Sequence, residues 1–322
     1  MTPRLTRTYL AVPAHRERLL RSAAASPADA VYMDLEDAVP AAEKAAALAA
    51  AADALDALDW GGKTVTVRLN AIDSPTIDAE IARLAGHPRL DAVILPKAER
   101  VTEVTHLASQ IAAASGGRAR PLEIELLIET ARGLMNVDTL ADAHSHVTAL
   151  HLGVGDLAAS LGARSSEIGA SPPGYKHLGR AADGYPETPL DLFAYPMMRM
   201  LVVARAFGLR AIDGPCGAFH DTRVTAAAAA KAAAMGFDGK QVIHPSQIQP
   251  TRDAFVPSAE ELAYADRVIA ALEQAERDGK GAAMLDGKMI DYANVRMIRR
   301  LRQFAAPAPA SPPTATDVAG SI

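Results

Sequence analysis

Short apolar runs alternate with longer alanine-rich runs along most of the chain, and this alternation limits the fold more than any other feature. The runs at residues 8–12, 30–34, 64–69, 92–95, 123–128, 149–152, 210–212 and 241–243 are rich in Val, Ile and Leu, with little polar alternation. Strands buried on both faces have that character. Between them, residues 41–58, 101–114, 133–143, 192–207 and 222–235 read as helices. About eight strand–helix units over some 250 residues predict an α/β fold, the (β/α)8 TIM barrel. An open doubly wound sheet is the alternative, but it usually carries a glycine-rich phosphate loop after its first strand. Here the first strand runs into Pro13-Ala14-His15-Arg16, without glycine. Aromatic residues are only 4% of the chain, so Ala, Leu, Val and Ile must fill the core.

The barrel is expected over residues 1–255. Residues 163–190, rich in Gly, Pro and Ser, interrupt the alternation and read as a long loop after the sixth strand; such loops often shape active sites. A small C-terminal helical lid is expected over residues 256–304. It begins with Ser258 as N-cap and Glu261 completing a capping box, and it ends in a basic helix at 295–304. The tail at 305–322 is Pro-, Ala-, Ser- and Thr-rich and is expected to be disordered.

The single cysteine, Cys216, cannot form an internal disulfide, which points to a reducing, cytoplasmic setting. No apolar run approaches the ~20 residues that span a bilayer, and the first residues lack the apolar core of a signal peptide. A net charge of −5 argues against nucleic acid as partner. Basic residues nevertheless gather at both ends: Arg4, Arg7, Arg16, Arg18 and Arg21 in one cluster, Lys288, Arg296, Arg299, Arg300 and Arg302 in the other. Such clusters suit a polyanion, or are solvated helix faces.

Barrel chemistry sits at the carboxyl ends of the strands. There the chain places Asp34, Glu36 and Asp37, then Arg68 and Asn70, Pro96-Lys97, Glu129, Gly153-Val154-Gly155-Asp156, Asp213 and His244. Glu129 and Asp156 come from adjacent strands, roughly 5 Å apart, and must share a proton, a metal or a cationic partner. Oxygen ligands favour Mg²⁺ or Mn²⁺ over zinc; a hydrogen-bonded pair capping neighbouring helices is the other possibility. The glycines before Asp156 allow the backbone close to a ligand, so its amides suit a carboxylate. The planar fork of Arg68 also suits a carboxylate, unless an ion pair with Glu36 or Asp37 consumes it. Lys97 reads as a partner of the acidic cluster rather than a Schiff-base nucleophile, His244 as structural and Cys216 as buried and inert.

The strings YLAVPAHRERL, ADAVYMDLEDAVPAAEK, VTVRLN, DAVILPKAE, LLIETARGLMNVD, LHLGVGDLAASLGA, GLRAIDGP, GFDGKQVIHPSQI and LDGKMIDYANV follow in order from residue 9 to about residue 300. Together they resemble the citrate lyase β-subunit-like branch of the HpcH/HpaI aldolase superfamily, which includes the malyl-CoA, methylmalyl-CoA and citramalyl-CoA lyases. The resemblance implies a TIM barrel with a C-terminal lid, assembled as trimers or hexamers with shared active sites. It makes Glu129 and Asp156 the Mg²⁺ ligands. Arg68 becomes the group that holds a glyoxylate-like carboxylate and the developing enolate, with Glu36 and Asp37 organising the metal's water shell and Arg68. Asp291 becomes an acid/base residue lent to a neighbouring subunit. Substrate and CoA contacts fall to Arg68, Gly155, Pro96, Lys97 and Arg16, with the CoA phosphates near the basic turn around Arg16. The loop at 163–190 is closer to the malyl-CoA lyase side than to the shorter citrate lyase β subunits.

The implied reaction is reversible Claisen-type cleavage of a malyl-CoA-like 3-hydroxyacyl-CoA to an acyl-CoA plus glyoxylate or pyruvate. A malyl-CoA thioesterase, a malate-synthase-type enzyme and a citryl-CoA lyase subunit are the alternatives on the same site. A CoA-independent pyruvate aldolase and a non-catalytic subunit are further from the pattern.

Overall fold

The computed structural model describes residues 4–165, 167–180 and 184–305. Eight parallel strands close into a barrel: β1 (Thr8–Pro13), β2 (Ala30–Asp34), β3 (Thr64–Arg68), β4 (Ala92–Leu95), β5 (Glu123–Ile128), β6 (Val147–Leu152), β9 (Arg210–Asp213) and β10 (Gly239–Val242). They neighbour one another in chain order, and β10 pairs with β1 to close the ring. Helices α1 (Glu17–Ala25), α2 (Lys44–Ala57), α3 (Ile77–Leu84), α4 (Val101–Ala114), α5 (Ala131–Met135), α6 (Val137–Ala141), α7 (Val154–Ser160), α8 (Ala194–Ala206), α9 (Thr222–Met235) and α10 (Ile248–Phe255) alternate with the strands. The helix expected at 133–143 is two short helices, because Asn136 leaves the helical region (φ −98°, ψ 9°) between them and its side-chain amide donates to the Glu99 carbonyl. The interruption at 163–190 is not wholly irregular. It contains an exposed antiparallel hairpin, β7 (Lys176–Leu178) with β8 (Glu187–Pro189). Gly169 fastens it to the exit of β9; a Cβ there would lie 2.5 Å from the Pro215 carbonyl oxygen.

The main core lies between strands and helices, where alanines such as Ala47, Ala51, Ala229 and Ala232 let the helices approach closely. Inside the barrel a smaller apolar set, Tyr9, Ala30, Tyr32, Ile94, Leu127 and Ile212, surrounds buried polar groups. Glu125, fully buried, accepts hydrogen bonds from the Tyr9 hydroxyl at 2.7 Å and Arg210 Nη2 at 2.7 Å, and it meets His151 Nε2 at 2.8 Å. Burial pushes the Glu125 pKa up, but Arg210, His151 and Tyr9 outweigh burial and hold it at about 2. A carboxyl depressed from its ordinary range stabilises the fold above that range, and this stability disappears as pH falls from about 4.5 to about 2. The contribution is on the order of 3 kcal/mol. Denaturant unfolding at pH 7 and pH 3 should therefore show a steep acid loss that Glu125→Gln blunts. An identical pH dependence in the variant would refute this account.

The appendage consists of α11 (Ala259–Arg277), the hairpin β11 (Ala283–Leu285)/β12 (Lys288–Ile290) and α12 (Tyr292–Phe304). Ser258 and Glu261 form the expected capping box. The appendage has its own small core of Ala265, Val268, Leu272, Ile290, Val295 and Ile298. Its last helix is anchored at the amino-terminal end of the barrel. Arg7, just before β1, donates to the Phe304 carbonyl at 3.0 Å, and Arg300 bonds Asp238, just before β10, at 3.0 Å. The tail expected to be disordered lies, apart from Ala305, outside the described residues. Among the described residues no helix is long and apolar enough to cross a membrane.

Candidate active site

The register of β2 and β3 builds the first half of the site. Asp34 and Arg68 are paired positions on these neighbouring strands, so their side chains share a face. Arg68 Nε donates to Asp34 Oδ1 at 2.7 Å and Nη2 to Oδ2 at 2.5 Å, a two-pronged clamp on a buried carboxylate. Arg68 Nη1 lies 3.0 Å from Glu36 Oε2 without the geometry of a good hydrogen bond, and the guanidinium sits 5.9 Å above the Tyr32 ring centre. The Nε–Nη2 edge of the fork is thus taken by Asp34, and Nη1 already faces Glu36. The sequence placed Asp34 at the end of the second strand but gave it no role. The signal for it was its place opposite Arg68 once β2 and β3 are aligned.

The loop after β2 is fixed from several sides. Asp34 accepts the backbone N–H groups of Glu36 and Ala38 at 2.9 and 3.1 Å. Asn70 donates to the Leu35 carbonyl at 3.0 Å, and Lys44 Nζ bonds the Leu35 and Glu36 carbonyls at 2.7 and 2.6 Å. Glu36 is consequently buried while Asp37 is exposed. Burial pushes the pKa of Glu36 up against the pull of Arg68 and Lys97.

Pro96, buried, leads into Lys97, which has a left-handed backbone (φ 50°). A non-glycine residue there costs of order 1–2 kcal/mol. The strain lets one residue serve two directions. The Lys97 N–H donates to Glu129 Oε1 at 2.9 Å, while its ammonium bonds Glu36 and lies 3.3 Å from Asp37. Burial works against this charge, but Glu36, Glu129 and Asp37 hold its pKa above the usual ammonium range. Within the chain the Lys97 ammonium thus bonds the acidic cluster, and its raised pKa disfavours a neutral, nucleophilic amine.

Glu129 follows β5 and is 2% exposed. Burial, joined by the like charges of Glu36 and Asp156, pushes its pKa up to about 8 despite Arg68 and the Lys97 N–H. Asp156, half-buried in the first turn of α7, is close enough to contribute. Of the two glycines beside it, Gly153 is the constrained one. A Cβ there would lie 2.3 Å from Glu129 Cβ and 2.6 Å from Oε2, whereas a Cβ on exposed Gly155 meets nothing within 4 Å. Gly153→Ala should displace Glu129, weakening binding of Mn²⁺ about tenfold or more while costing about 1–3 kcal/mol of stability. Calorimetric titration checks this, and unchanged Mn²⁺ affinity would contradict it.

Among the described residues, Asp34, Glu36, Asp37 and Glu129 lie against Arg68 and Lys97, and Asp156 adds a further carboxylate beside Glu129. A hard dication with oxygen ligands fits this excess of negative charge. Among the described residues no group of three or more His, Cys, Asp or Glu side chains is arranged for a metal. Two carboxylates are what Mg²⁺ ordinarily takes from a protein, leaving positions for water and substrate.

Arg16 is exposed at the start of α1, next to the same mouth. Asp213 is instead consumed by buried Lys240, whose Nζ bonds it at 2.6 Å. His244 caps the turn at Ser246, and Cys216 is buried. Asp291 is not brought to the other residues within one chain. It caps α12, accepting the N–H groups of Ala293 and Asn294 at 2.8 and 3.3 Å, in an appendage anchored at the opposite end of the barrel.

A closed parallel barrel with buried carboxylates and an arginine at the carboxyl ends of its strands defines a TIM-barrel enzyme suited to small anionic substrates and a hard cation. The chain belongs to the HpcH/HpaI aldolase/citrate lyase family, whose profile matches residues 7–245. It is 34% identical over 299 residues to an L-malyl-CoA/β-methylmalyl-CoA lyase of Cereibacter sphaeroides, covering 91% of this chain and 92% of that one. It is 33% identical over 294 residues to a (3S)-malyl-CoA thioesterase of the same species, with the same coverage. Among solved structures, protein CitE of Mycobacterium tuberculosis in complex with magnesium, acetoacetate and coenzyme A superposes with a TM-score of 0.72 at 32% identity. That likeness covers 94% of this chain and 98% of the other.

Proposed function

We propose that this protein is a Mg²⁺-dependent CoA ester lyase that reversibly cleaves a malyl-CoA-like 3-hydroxyacyl-CoA into an acyl-CoA and glyoxylate or pyruvate. The observation that carries this reading is buried Glu129, short of positive charge beside Asp156, with Arg68 clamped alongside. Family membership and the lyase relative support it.

Glu129 and Asp156 would hold the metal, which when bound supplies Lewis-acid stabilisation at the substrate's hydroxyl and carboxylate oxygens. The edge of Arg68 that Asp34 leaves, which Glu36 faces without a good hydrogen bond, binds the carboxylate of the oxo acid half, and the Gly155 backbone borders it. As the bond beside the hydroxyl breaks, its electron pair moves into the acyl-CoA half as a thioester enolate, and the hydroxyl proton passes to solvent water to leave the carbonyl of the oxo acid. Arg68 stabilises the developing charge. Asp291 of a neighbouring copy protonates the enolate carbon, or removes that proton in the condensation direction. Arg16 offers charge to the CoA phosphates at the rim. The barrel over residues 1–255 carries the chemistry, and residues 256–304 serve the neighbour as a lid. That exchange requires an oligomer, for which a trimer or hexamer is our proposed assembly, with the cytoplasm as its setting.

Incubating the protein with Mg²⁺ and a panel of malyl-, methylmalyl- and citramalyl-CoA tests the reading. Cleavage of at least one supports it; cleavage of none contradicts it. The thioesterase relative favours one second reading, hydrolysis of malyl-CoA to malate and CoA on the same site. The shared site has its own test. Asp291→Asn should lose exchange of the acetyl-CoA methyl protons while still binding CoA. Mixed oligomers of Asp291→Asn and Glu129→Gln should recover about a quarter of wild-type activity, because each variant lacks a different half of the site. No recovery in verified mixed oligomers would rule out sharing.

A further inference from the structure

The charged groups at the mouth form one alternating chain. Asp34 clamps Arg68, Arg68 faces Glu36, Glu36 takes the Lys97 ammonium, and the Lys97 N–H meets Glu129. Asp34 and Lys97 hold the two ends of the Arg68–Glu36 pair. Among the described residues no hydrogen bond or ion pair joins Asp34 to Lys97, and the two come from different strand exits, β2 and β4. Both also fix backbone: Asp34 holds the N–H groups of the loop carrying Glu36, and Lys97 adopts its left-handed conformation in order to reach both carboxylates.

We infer that Asp34 and Lys97 are positioning residues that act as one unit, setting through Glu36 which edge of Arg68 faces the oxo acid. This rests on the reading of Arg68 as the carboxylate-binding group. Without the Asp34 clamp, Arg68 turns toward Glu36 and its free edge leaves the substrate. Without the Lys97 ammonium, Glu36 is released to pair more fully with Arg68, and the same edge is lost. Either loss therefore reaches the same end state, so the two do not add. Two independent supports would instead give effects that multiply.

The test uses the full-length protein and its Asp34→Asn, Lys97→Met and double variants. Mg²⁺-dependent binding of oxalate, a planar mimic of the oxo acid, is measured by calorimetry, and the separate KM values for oxo acid and acyl-CoA are measured in the condensation direction. Each single variant should weaken oxalate about tenfold or more, and the double variant by no more than about threefold beyond the worse single one. The KM for the oxo acid should rise while that for acyl-CoA stays unchanged, a split that general loosening of the fold would not give. Lys97→Arg should restore most of the oxalate affinity. Multiplying effects, unchanged oxalate affinity in either single variant, or no oxalate binding by the wild type would each overturn the inference. A wild type that binds oxalate in this pattern yet cleaves no CoA ester would leave the positioning unit standing and defeat the lyase reading alone.

Discussion

Glu129→Gln is expected to abolish Mg²⁺-dependent turnover, by about a thousandfold or more, while leaving the metal-free protein folded and more stable. The two effects share a cause. Burial beside Glu36 and Asp156 raises the pKa of Glu129 to about 8, so the metal-free fold resists carrying its charge at neutral pH. Against the unfolded chain, this mismatch costs the metal-free fold on the order of 3 kcal/mol at pH 7. Glutamine preserves shape and the acceptor for the Lys97 N–H but removes the charge that the cation would use. Thermal melts with EDTA should show the variant above the wild type, and added Mg²⁺ should raise only the wild type. A fully active variant would remove Glu129 from the site, and a less stable metal-free variant would contradict the electrostatic account.

The second large effect is expected at Arg68. Arg68→Ala leaves Asp34 and Glu36 buried without their shared cation, and breaking a buried pair in this way costs about 3–5 kcal/mol. Such a loss could mask any catalytic role, so Arg68→Lys is the more informative change. It keeps a charge near Asp34 but cannot span both carboxylate oxygens and still present an edge to substrate. A fall in kcat/KM of about a hundredfold to ten-thousandfold, with a much smaller loss of stability, is the expected result. Lysine supporting near wild-type kcat/KM would show that only charge is needed, and the oriented edge would have no role.

The barrel was readable because strands buried on both faces leave continuous apolar runs, as in Ala92–Leu95 with every residue buried. Strand beginnings were less readable where buried polar groups open them. Lys240 in β10 breaks the apolar pattern, yet it is buried because Asp213 neutralises it. Local sequence also hid the break at Asn136, whose partner Glu99 belongs to the preceding strand–helix unit. The residues of the mouth were legible from their position after each strand, but their pairing was not. Whether Arg68 meets Asp34, Glu36 or Asp37 depends on the register of β2 against β3, and a shift of one residue would turn the side chain to the other face. Nor could sequence show that Lys97 spends its ammonium on Glu36, or that the appendage holding Asp291 is tied to the barrel's amino-terminal end through Arg7 and Arg300.

On the proposed reading, this mouth breaks a carbon–carbon bond with the help of a dication. Product analysis after incubating the purified protein with malyl-CoA and Mg²⁺ tests it most directly. Acetyl-CoA and glyoxylate should form in equal amounts, with production stopped by EDTA and restored by excess Mg²⁺. Free malate and CoA in place of those products, or equal rates with and without EDTA, would contradict it.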